Sequence, residues 1–473
     1  MSRVAVLGGG ISGLAAAVYL LQGREPVEVQ VFDRDCRLGG VLETVRVGPY
    51  LVEKSADNFA TLIPDALELS RLCGVDEQLV QPRQQGRQAF VLCRGKLQPI
   101  PLGFSLMQPT RVASILTTPT LSVAGKLRLL SEYFVQARTS CEDESLQSFA
   151  TRRLGREAYE NLVEPIVSGI FTADPTTLSM EATMPQFLEM ERHSGGLIRG
   201  HLQARRRDAA TAARKASGAR YDQFRAPVDG MSSWVKAIAA HLPGDVLRLG
   251  TEVQRIVPAS SGDSFGWQVV TSNSEELFDA VVCALPAAPA AAVLKAALPT
   301  AADILERIPY ASSAVAAMAV NRRDLSGRID GFGMISPSKE GRAALAISYT
   351  SNKYAGRAPD DEILLRIFLG GAMQPEILKN TDDFLMDVAT AEVRGILGWS
   401  GSQANWSQII RWNNAMPQYL VGHVQRIEQL EKTLLQFPTL RLCGAAYRGV
   451  GIPQCVRSGR QAAEQIRQVL FGS

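Results

Sequence analysis

The sequence has few residues of the kinds that build disulfide frameworks or metal sites. Its 473 residues include seven cysteines, an odd number with no CxxC pair, so neither a disulfide framework nor a thiolate metal site is predicted. The four histidines are scattered and form no HExxH pattern, so we expect no metal. The cysteines are expected to be reduced thiols, as is usual in the cytoplasm.

Long apolar runs and a strong charge imbalance are also missing. No stretch of about 18 or more uninterrupted apolar residues occurs, so no membrane span is predicted. No signal or transit peptide is recognisable before the first predicted strand, and we expect a cytoplasmic protein. A formal net charge of only +3 gives no basis for nucleic-acid binding.

What the chain does have at its start is a βαβ unit. Arg3–Leu7 is a short, almost wholly apolar run, Ser12–Gln22 is rich in alanine and leucine, and Glu28–Phe32 is a second strand that ends at Asp33. Parallel strands in such a unit are buried on both faces, which explains why the first run does not alternate.

A glycine pattern joins the first strand to the helix. Gly8 allows a tight turn, Gly10 lets the backbone approach a pyrophosphate, and Gly13 lets helix and strand pack closely while the helix N-terminus faces the anion. Asp33 follows Gly13 by twenty positions and can accept hydrogen bonds from ribose hydroxyls. These features predict a dinucleotide site and suit NAD and FAD equally.

The run Arg37-Leu38-Gly39-Gly40, just after Asp33, favours FAD, because a second glycine pair lets the backbone approach the same cofactor again. Here the chain resembles the flavin amine oxidase and phytoene desaturase superfamily, in which an RxGG element follows the ribose carboxylate beside the FAD pyrophosphate.

Three later stretches resemble one branch of that superfamily, the protoporphyrinogen oxidase family. Residues 168–174 with 178–180 are similar to its SGVYAGD…LSM signature. Residues 417–419 with Gly422-His423 are similar to its PQY…GH element. Residues 445–463 resemble its closing motif, where the chain passes the flavin ring and begins the last helix. Four matches in order extend the resemblance along most of the chain.

The resemblance implies an α/β fold with a Rossmann-like FAD-binding domain built from residues 1–85, 225–300 and 415–473. A helix-rich region over 86–224 and a mixed-strand, α+β substrate domain over 301–414 complete the expected organisation. Within the helix-rich region, the residue pattern over Ala89 to Ile100 predicts a hairpin that turns near Arg94-Gly95. The residues expected to bind FAD are Gly8, Gly9, Gly10, Ile11, Ser12, Gly13, Asp33, Arg37, Leu38, Gly39, Gly40, Val253, Ala284, Gly444, Gly449, Val450, Gly451 and Ile452.

The activity that the resemblance implies is oxygen-dependent oxidation of protoporphyrinogen IX to protoporphyrin IX in haem biosynthesis. Three hydride transfers to flavin N5 are expected, and after each one oxygen would reoxidise the flavin and be reduced to hydrogen peroxide. No catalytic side chain is predicted, because the flavin carries the chemistry. Coproporphyrinogen III is an alternative substrate. An amine oxidase, a carotenoid desaturase and a prenyl-protein-binding relative of the Rab GDP-dissociation inhibitors are alternatives from other classes.

Carried over by position, the resemblance places Phe332, Ile335, Ile347 and Phe368 around the macrocycle and the carbonyl of Gly169 near its pyrrole nitrogens. The family often has a basic residue for a substrate propionate where this chain has Ala89. Arg87 is the expected substitute, with Arg94, Lys96 and Lys54 as alternatives.

Two other stretches bear on these expectations. The family's ExGPxxF loop corresponds to Glu53–Phe59, in which Ser55 replaces the glycine. A basic run from Arg205 to Arg225 is most simply a solvated helical face, but it could also attract the enzyme peripherally to anionic lipid on the cytoplasmic side of a membrane. A homodimer is the default expectation for oligomeric state.

Overall fold

The structure is a computed structural model that describes residues 1–109, 111–140, 142–211, 220–261 and 264–472. Its strands are β1 (Ser2–Leu7), β2 (Val27–Asp33), β3 (Thr44–Val47), β4 (Tyr50–Glu53), β5 (Phe59–Ala60), β6 (Leu79–Val80), β7 (Ala89–Cys93), β8 (Lys96–Pro99), β9 (Phe104–Ser105), β10 (Gln108–Pro109), β11 (Phe224–Pro227), β12 (Leu247–Leu249), β13 (Val253–Ser261), β14 (Ser264–Thr271), β15 (Glu275–Phe278), β16 (Ala280–Cys283), β17 (Tyr310–Asn321), β18 (Gly333–Ile335), β19 (Ala346–Tyr349), β20 (Glu362–Gly370), β21 (Trp406–Pro417) and β22 (Leu440–Leu442).

The α-helices are α1 (Ile11–Leu21), α2 (Asp65–Leu72), α3 (Val112–Thr117), α4 (Val123–Leu130), α5 (Leu146–Leu154), α6 (Arg156–Ala158), α7 (Glu164–Phe171), α8 (Met180–Thr183), α9 (Pro185–Ser194), α10 (Leu197–Thr211), α11 (Met231–Ala240), α12 (Ala287–Leu294), α13 (Pro299–Glu306), α14 (Thr350–Lys353), α15 (Asp382–Leu397), α16 (His423–Leu434) and α17 (Ile452–Phe471).

The first large sheet is parallel and is assembled from distant parts of the chain. Its strand order is β12-β2-β1-β16-β22, and Val4 lies in register with both Val29 and Ala280. Helices α1, α11 and α17 pack on one face, and α12, α13 and α16 pack on the other. Burial on both faces explains the apolar sequence of β1. The predicted Rossmann-like domain of discontinuous segments is confirmed.

The second large sheet is mixed, with the order β21-β17-β20-β19-β18-β7-β8. Register partners on neighbouring strands share a face of a sheet. Ile335, Ala346 and Phe368 are such partners, and the face that carries them, here called the inner face, packs toward Tyr50 and Val52 of β4. The opposite, outer face is covered by α15.

The hairpin predicted near Arg94-Gly95 is confirmed as β7 and β8. Both turn residues have positive φ, 53° for Arg94 and 72° for Gly95, as a two-residue hairpin turn requires. The hairpin belongs to the second sheet through the parallel pairing of β7 with β18. The predicted boundaries assign these strands to the helix-rich region, and the boundaries themselves stay a prediction.

The helix-rich region has its own apolar core, formed largely by α5, α7 and the segments around them. Arg153 crosses this core fully buried and contacts the carboxylates of Glu132 and Glu191. In the predicted basic run, Arg214 and Lys215 and the side chains of Arg205, Arg206, Arg207 and Arg220 lie outside the described residues. Within the described part of the chain, no helix combines the length and the apolar character needed to cross a bilayer.

Candidate functional site

The turn from β1 to α1 has the geometry of a dinucleotide site. Gly8 has φ +105°, and a Cβ on Gly13 would overlap the carbonyl oxygen of Gly8, so both positions require glycine. A Cβ on Gly10 would meet no atom of the described residues within 4 Å. Among those residues no side chain caps the start of α1 at Ile11, so the amides of its first turn are directed toward that open space.

The ribose carboxylate predicted at Asp33 lies beside this turn. Its Oδ2 accepts a hydrogen bond of 2.6 Å from the backbone N–H of Gly9, and its Oδ1 accepts one of 2.9 Å from that of Asp35. Each carboxylate oxygen keeps a further lone pair for a ribose hydroxyl. Thr251 N–H donates to the carbonyl of Asp33, which brings the start of β13 at Val253 close, although the Val253 side chain packs into the core.

The RxGG element is placed against the same turn. Gly39 N–H donates to the carbonyl of Gly9 over 2.8 Å, and Leu38 packs against Gly9. Gly39 and Gly40 both have positive φ, +102° and +58°. The guanidinium of Arg37 donates to the Gly40 carbonyl at 2.5 Å and forms an ion pair with Glu43 at 3.2 Å. In the described contacts Arg37 therefore shapes the loop.

The closing motif completes this side of the site. Gly444 has φ +123° and faces Ser12 and Ala284, and Ala284 in turn borders Gly8. A Cβ on Gly459 would overlap the carbonyl oxygen of Ser12, so α17 can approach α1 closely only with glycine there.

A second helix N-terminus begins at Ile452, directly after Gly449, Val450 and Gly451. Gly449 has φ +138°, and no side chain of the residues that the structure describes caps α17. The sequence therefore brings two uncapped helix N-termini, α1 and α17, to one edge of the parallel sheet.

The PQY…GH element holds the loop from Ala445 to Gly451, here called the closing loop, through hydrogen bonds. The hydroxyl of Tyr419 donates to the carbonyl of Ala445 at 2.6 Å and accepts from Gly449 N–H at 2.8 Å. The ring of His423 stacks on that of Tyr419 with 4.1 Å between centroids, and its Nε2 lies 2.9 Å from the carbonyl oxygen of Tyr447. A carbonyl only accepts, so Nε2 carries the proton. Burial lowers the pKa of His423 to about 4, which keeps the ring neutral at pH 7.

The signature around Gly169 contacts the PQY…GH element at Gln418 and Tyr419. Ser179 N–H donates to the carbonyl of Tyr419 at 2.7 Å, and the amide of Gln418 donates to the carbonyl of Phe171 at the end of α7. Gly169 itself is exposed in the last turn of α7, and a Cβ there would lie 3.8 Å from Ile335. The structure thus brings Gly169 to the edge of the inner face.

The four apolar residues expected around the macrocycle do not share one surface. Ile335 and Phe368 are half-buried on the inner face. Ile347 is wrong for that surface, because it pairs with Met334 and Ile367 on the outer face and is 1% exposed beneath α15. The inner-face residue at this point is Ala346, which sequence reasoning missed.

Phe332 precedes β18 and is almost fully buried, with its N–H donating to the carbonyl of Gln88. Its role toward a macrocycle stays a prediction. We call the inner-face surface of Ile335, Ala346 and Phe368 the platform.

Arg87, the expected propionate-binding cation, already has partners within the protein, and its role toward a propionate stays a prediction. Its side chain is 8% exposed, its Nη1 pairs with Asp222, and Nε and Nη2 donate to the carbonyls of Arg83 and Pro82. All three nitrogens are engaged, so the guanidinium is held by the protein itself. Of the alternatives, Lys54 pairs with Glu43 at 2.5 Å.

Ser55 does not disturb the loop in which relatives have glycine. It is absent from the described residues with positive φ, so the backbone there has no need of glycine. Its hydroxyl donates to the carbonyl of Val41 at 2.5 Å, directly after the RxGG element. The segment from Glu53 to Phe59, here called the bridging segment, thus lies between the dinucleotide turn and the second sheet.

These residues fit a dinucleotide cofactor on three observations. The space beside Gly10 is open, two uncapped helix N-termini meet near it, and the carboxylate of Asp33 borders it. Across the bridging segment and the closing loop from this site lies the apolar platform. The arrangement suits a cofactor with an anionic centre and a flat ring that reacts with an apolar substrate.

Comparisons with known proteins extend this picture. The model of a family described as flavin containing amine oxidoreductase matches residues 11–467. The chain is 32% identical to the coproporphyrinogen III oxidase of Propionibacterium freudenreichii subsp. freudenreichii, over 98% of this chain and 90% of that protein. It is 29% identical to the coproporphyrinogen III oxidase of Bacillus subtilis (strain 168), over 99% of this chain and 98% of that protein. The crystal structure of a "Putative protoporphyrinogen oxidase" from Exiguobacterium sp. 255-15 matches with a TM-score of 0.83 at 27% identity, over 99% of both chains.

Proposed function

This chain belongs to the flavin containing amine oxidoreductase family, and from that premise we propose that it oxidises a porphyrinogen to the porphyrin, with coproporphyrinogen III as the preferred substrate. Its cofactor is FAD, because the family carries flavin and the site is built for a dinucleotide. The chain is therefore a flavin-dependent oxidoreductase.

The observation that carries the proposal is the platform of Ile335, Ala346 and Phe368 facing the exposed last turn of α7 at Gly169. The apolar face of a large tetrapyrrole macrocycle fits such a surface, whereas an amine or a prenyl group would not need its width. The relatives reported above are named for porphyrinogens and match along nearly the whole chain, which also favours this class over amine and carotenoid substrates.

Bound FAD would supply a two-electron acceptor, and the protein's own groups would do the rest. The helix N-termini of α1 and α17 would hold the pyrophosphate, while Asp33 would hold a ribose. The platform would orient the macrocycle, and the last-turn carbonyls of α7, Gly169 among them, would accept hydrogen bonds from pyrrole N–H groups. Three two-electron rounds would convert porphyrinogen to porphyrin, with oxygen reduced to hydrogen peroxide each time.

The preference for coproporphyrinogen III over protoporphyrinogen IX rests on the two coproporphyrinogen III oxidases, at 32% and 29% identity. Protoporphyrinogen IX remains the competing substrate, supported by the sequence resemblance and by the Exiguobacterium structure.

Anaerobic reduction of the purified, yellow holoprotein tests the proposal. We expect coproporphyrinogen III to bleach the flavin band, air to restore it with release of hydrogen peroxide, and kcat/KM to exceed that for protoporphyrinogen IX. A higher kcat/KM for protoporphyrinogen IX would reverse the substrate assignment. Bleaching by primary amines but by neither porphyrinogen, or a colourless protein, would overturn the function.

We propose in addition that this enzyme is cytoplasmic and touches membranes peripherally. Val123 and Leu127, four residues apart on one face of α4, are 74% and 63% exposed, and the nearby Phe134 is 77% exposed. Apolar side chains left in water on a helix suit insertion at a lipid interface. Flotation with anionic liposomes at low salt should carry the protein, and Leu127→Glu should weaken it. If the unaltered protein does not float with the liposomes, the proposed membrane contact is wrong.

A further inference from the structure

A fully buried arginine, Arg366, lies beside the platform on the same face of the sheet. Arg366 precedes Phe368 by two residues on β20, so both side chains are on the inner face. The Arg366 side chain is 2% exposed, and its Cζ lies 5.2 Å from the centroid of the Phe368 ring. A cation so deeply buried carries a desolvation cost and needs compensating contacts.

Those contacts lie on the bridging segment. Nη2 of Arg366 donates to the carbonyl of Ser55, and Nη1 lies 3.7 Å from Oδ2 of Asp57. The same oxygen of Asp57 accepts from Nζ of Lys353 at 3.0 Å. Burial alone would raise the pKa of Asp57, but the charges of Lys353 and Arg366 outweigh burial and lower that pKa, so the carboxyl is ionised. Glu53 and Arg357 belong to the same group of charges, so two carboxyl groups face three cations.

The other side of the bridging segment is fastened to the dinucleotide domain. Glu53 accepts from the N–H of Met231 at 3.0 Å and from the hydroxyl of Thr44 at 2.7 Å. The Ser55 hydroxyl binds the carbonyl of Val41, and Phe59 packs in the same apolar cluster as Ile452 of the closing motif. The bridging segment is therefore the physical link between the dinucleotide turn and the platform.

From this arrangement we infer that Arg366, with Lys353 sharing Asp57, is a positioning residue that fixes the platform relative to the flavin and contributes to an excess of positive charge beside the reaction centre. The inference rests on the proposed function. Nε of Arg366 is buried and has no hydrogen-bond partner among the described residues, which leaves a donor for an electron-rich bound group. A positive charge near a flavin favours its reduced, more electron-rich form.

Three variants separate geometry from charge. Arg366→Met should slow anaerobic flavin reduction by about 10- to 100-fold, with little change in KM, because the platform loses its fixed distance from the flavin. The same variant should lower the midpoint potential of bound FAD. Arg366→Lys should recover most of the potential but not the rate, since it restores the charge without the two-point contact to Ser55 and Asp57. Lys353→Met should lower the potential in the same direction, and it serves if Arg366→Met does not fold.

Arg153→Met is the matched control, because Arg153 is equally buried and paired with carboxylates in the helix-rich region, away from the bridging segment. It should lower the melting temperature and leave the flavin potential unchanged. If Arg366→Met and Lys353→Met lower only the melting temperature, as Arg153→Met does, the inference is overturned. The potential is titrated with a chemical reductant and needs no porphyrinogen, so it decides the inference even if the proposed substrate is wrong.

Discussion

The phenol of Tyr419 accepts the backbone N–H of Gly449 at 2.8 Å while donating to the carbonyl of Ala445 at 2.6 Å, so one side chain closes the loop before α17 at both ends. Removing this hydroxyl in Tyr419→Phe leaves a partly buried donor, Gly449 N–H, and a partly buried acceptor, the Ala445 carbonyl, without this partner. We expect the free energy of unfolding to fall by about 1–3 kcal/mol. FAD should also dissociate more readily, because Gly449 to Gly451 lead into the helix N-terminus assigned to the cofactor.

Tyr349→Phe provides the control for this change. Its hydroxyl donates to the carbonyl of Arg328 at 3.2 Å in the core beneath the outer face. The same atom is removed, so stability should fall while FAD affinity, measured by fluorescence titration of the apoprotein, stays at the wild-type value. Equal FAD affinity in both variants would contradict a bracing role for Tyr419.

The dinucleotide half of the site was readable from sequence because its signals are local. Gly8, Gly13 and Asp33 lie within one βαβ unit, and each requirement (a tight turn, close packing, a carboxylate at a strand end) acts between neighbours in the chain. The hairpin at Arg94-Gly95 was predictable for the same reason.

The substrate half was less readable because it depends on register between distant strands. Whether Ile347 or Ala346 shares a face with Phe368 is decided by the pairing of β19 with β20, and a shift of one residue exchanges the two faces. Likewise, Arg87 forms its ion pair with Asp222, which is 135 positions away in the sequence. No local pattern around Arg87 reveals such a contact.

The two faces of the second sheet predict opposite consequences for two truncations. Phe368→Ala removes a platform ring and should raise KM for the porphyrinogen by about 2- to 12-fold, since an aromatic contact contributes about 0.5–1.5 kcal/mol. Ile347→Ala, in contrast, empties a core position on the outer face and should cost about 2–5 kcal/mol of stability with KM unchanged. Steady-state kinetics and urea unfolding of both variants check this. An increase in KM for Ile347→Ala alone would contradict the assignment of faces.

Two glycines in the turn after β1 separate cofactor contact from protein packing. In Gly10→Ala the added methyl meets no atom in the described part of the chain, and φ is −70°, so the apoprotein should melt at the wild-type temperature. FAD affinity should nevertheless fall by about tenfold or more, equivalent to about 1.4 kcal/mol, because the methyl enters the cofactor's space.

Gly13→Ala is the comparison, because its methyl would overlap the carbonyl of Gly8 and should destabilise the apoprotein as well. Calorimetry of both apoproteins, followed by FAD titration, distinguishes the two effects. Wild-type FAD affinity in Gly10→Ala would place the pyrophosphate elsewhere.

His423 predicts a stability change with pH. Burial lowers its pKa to about 4 in the folded protein, whereas an unfolded histidine titrates near 6.5. Between these values only the unfolded chain binds the proton, so stability rises with pH across this window and is lost as the pH falls. For this one group the loss between pH 7 and pH 5 should be about 2 kcal/mol.

His423→Gln removes the titration while an amide N–H can still donate to the carbonyl of Tyr447, which the imidazole Nε2 approaches to 2.9 Å. Urea unfolding of both proteins with saturating FAD, at pH 5 and pH 7, measures the difference. Other groups titrate alike in both proteins and cancel, so the variant should lose about 2 kcal/mol less than the wild type over this interval. Equal losses of stability in the two proteins would mean that His423 accepts a proton in the folded state. A protonated Nδ1 would need a partner, but this atom is buried with no hydrogen-bond partner among the described residues.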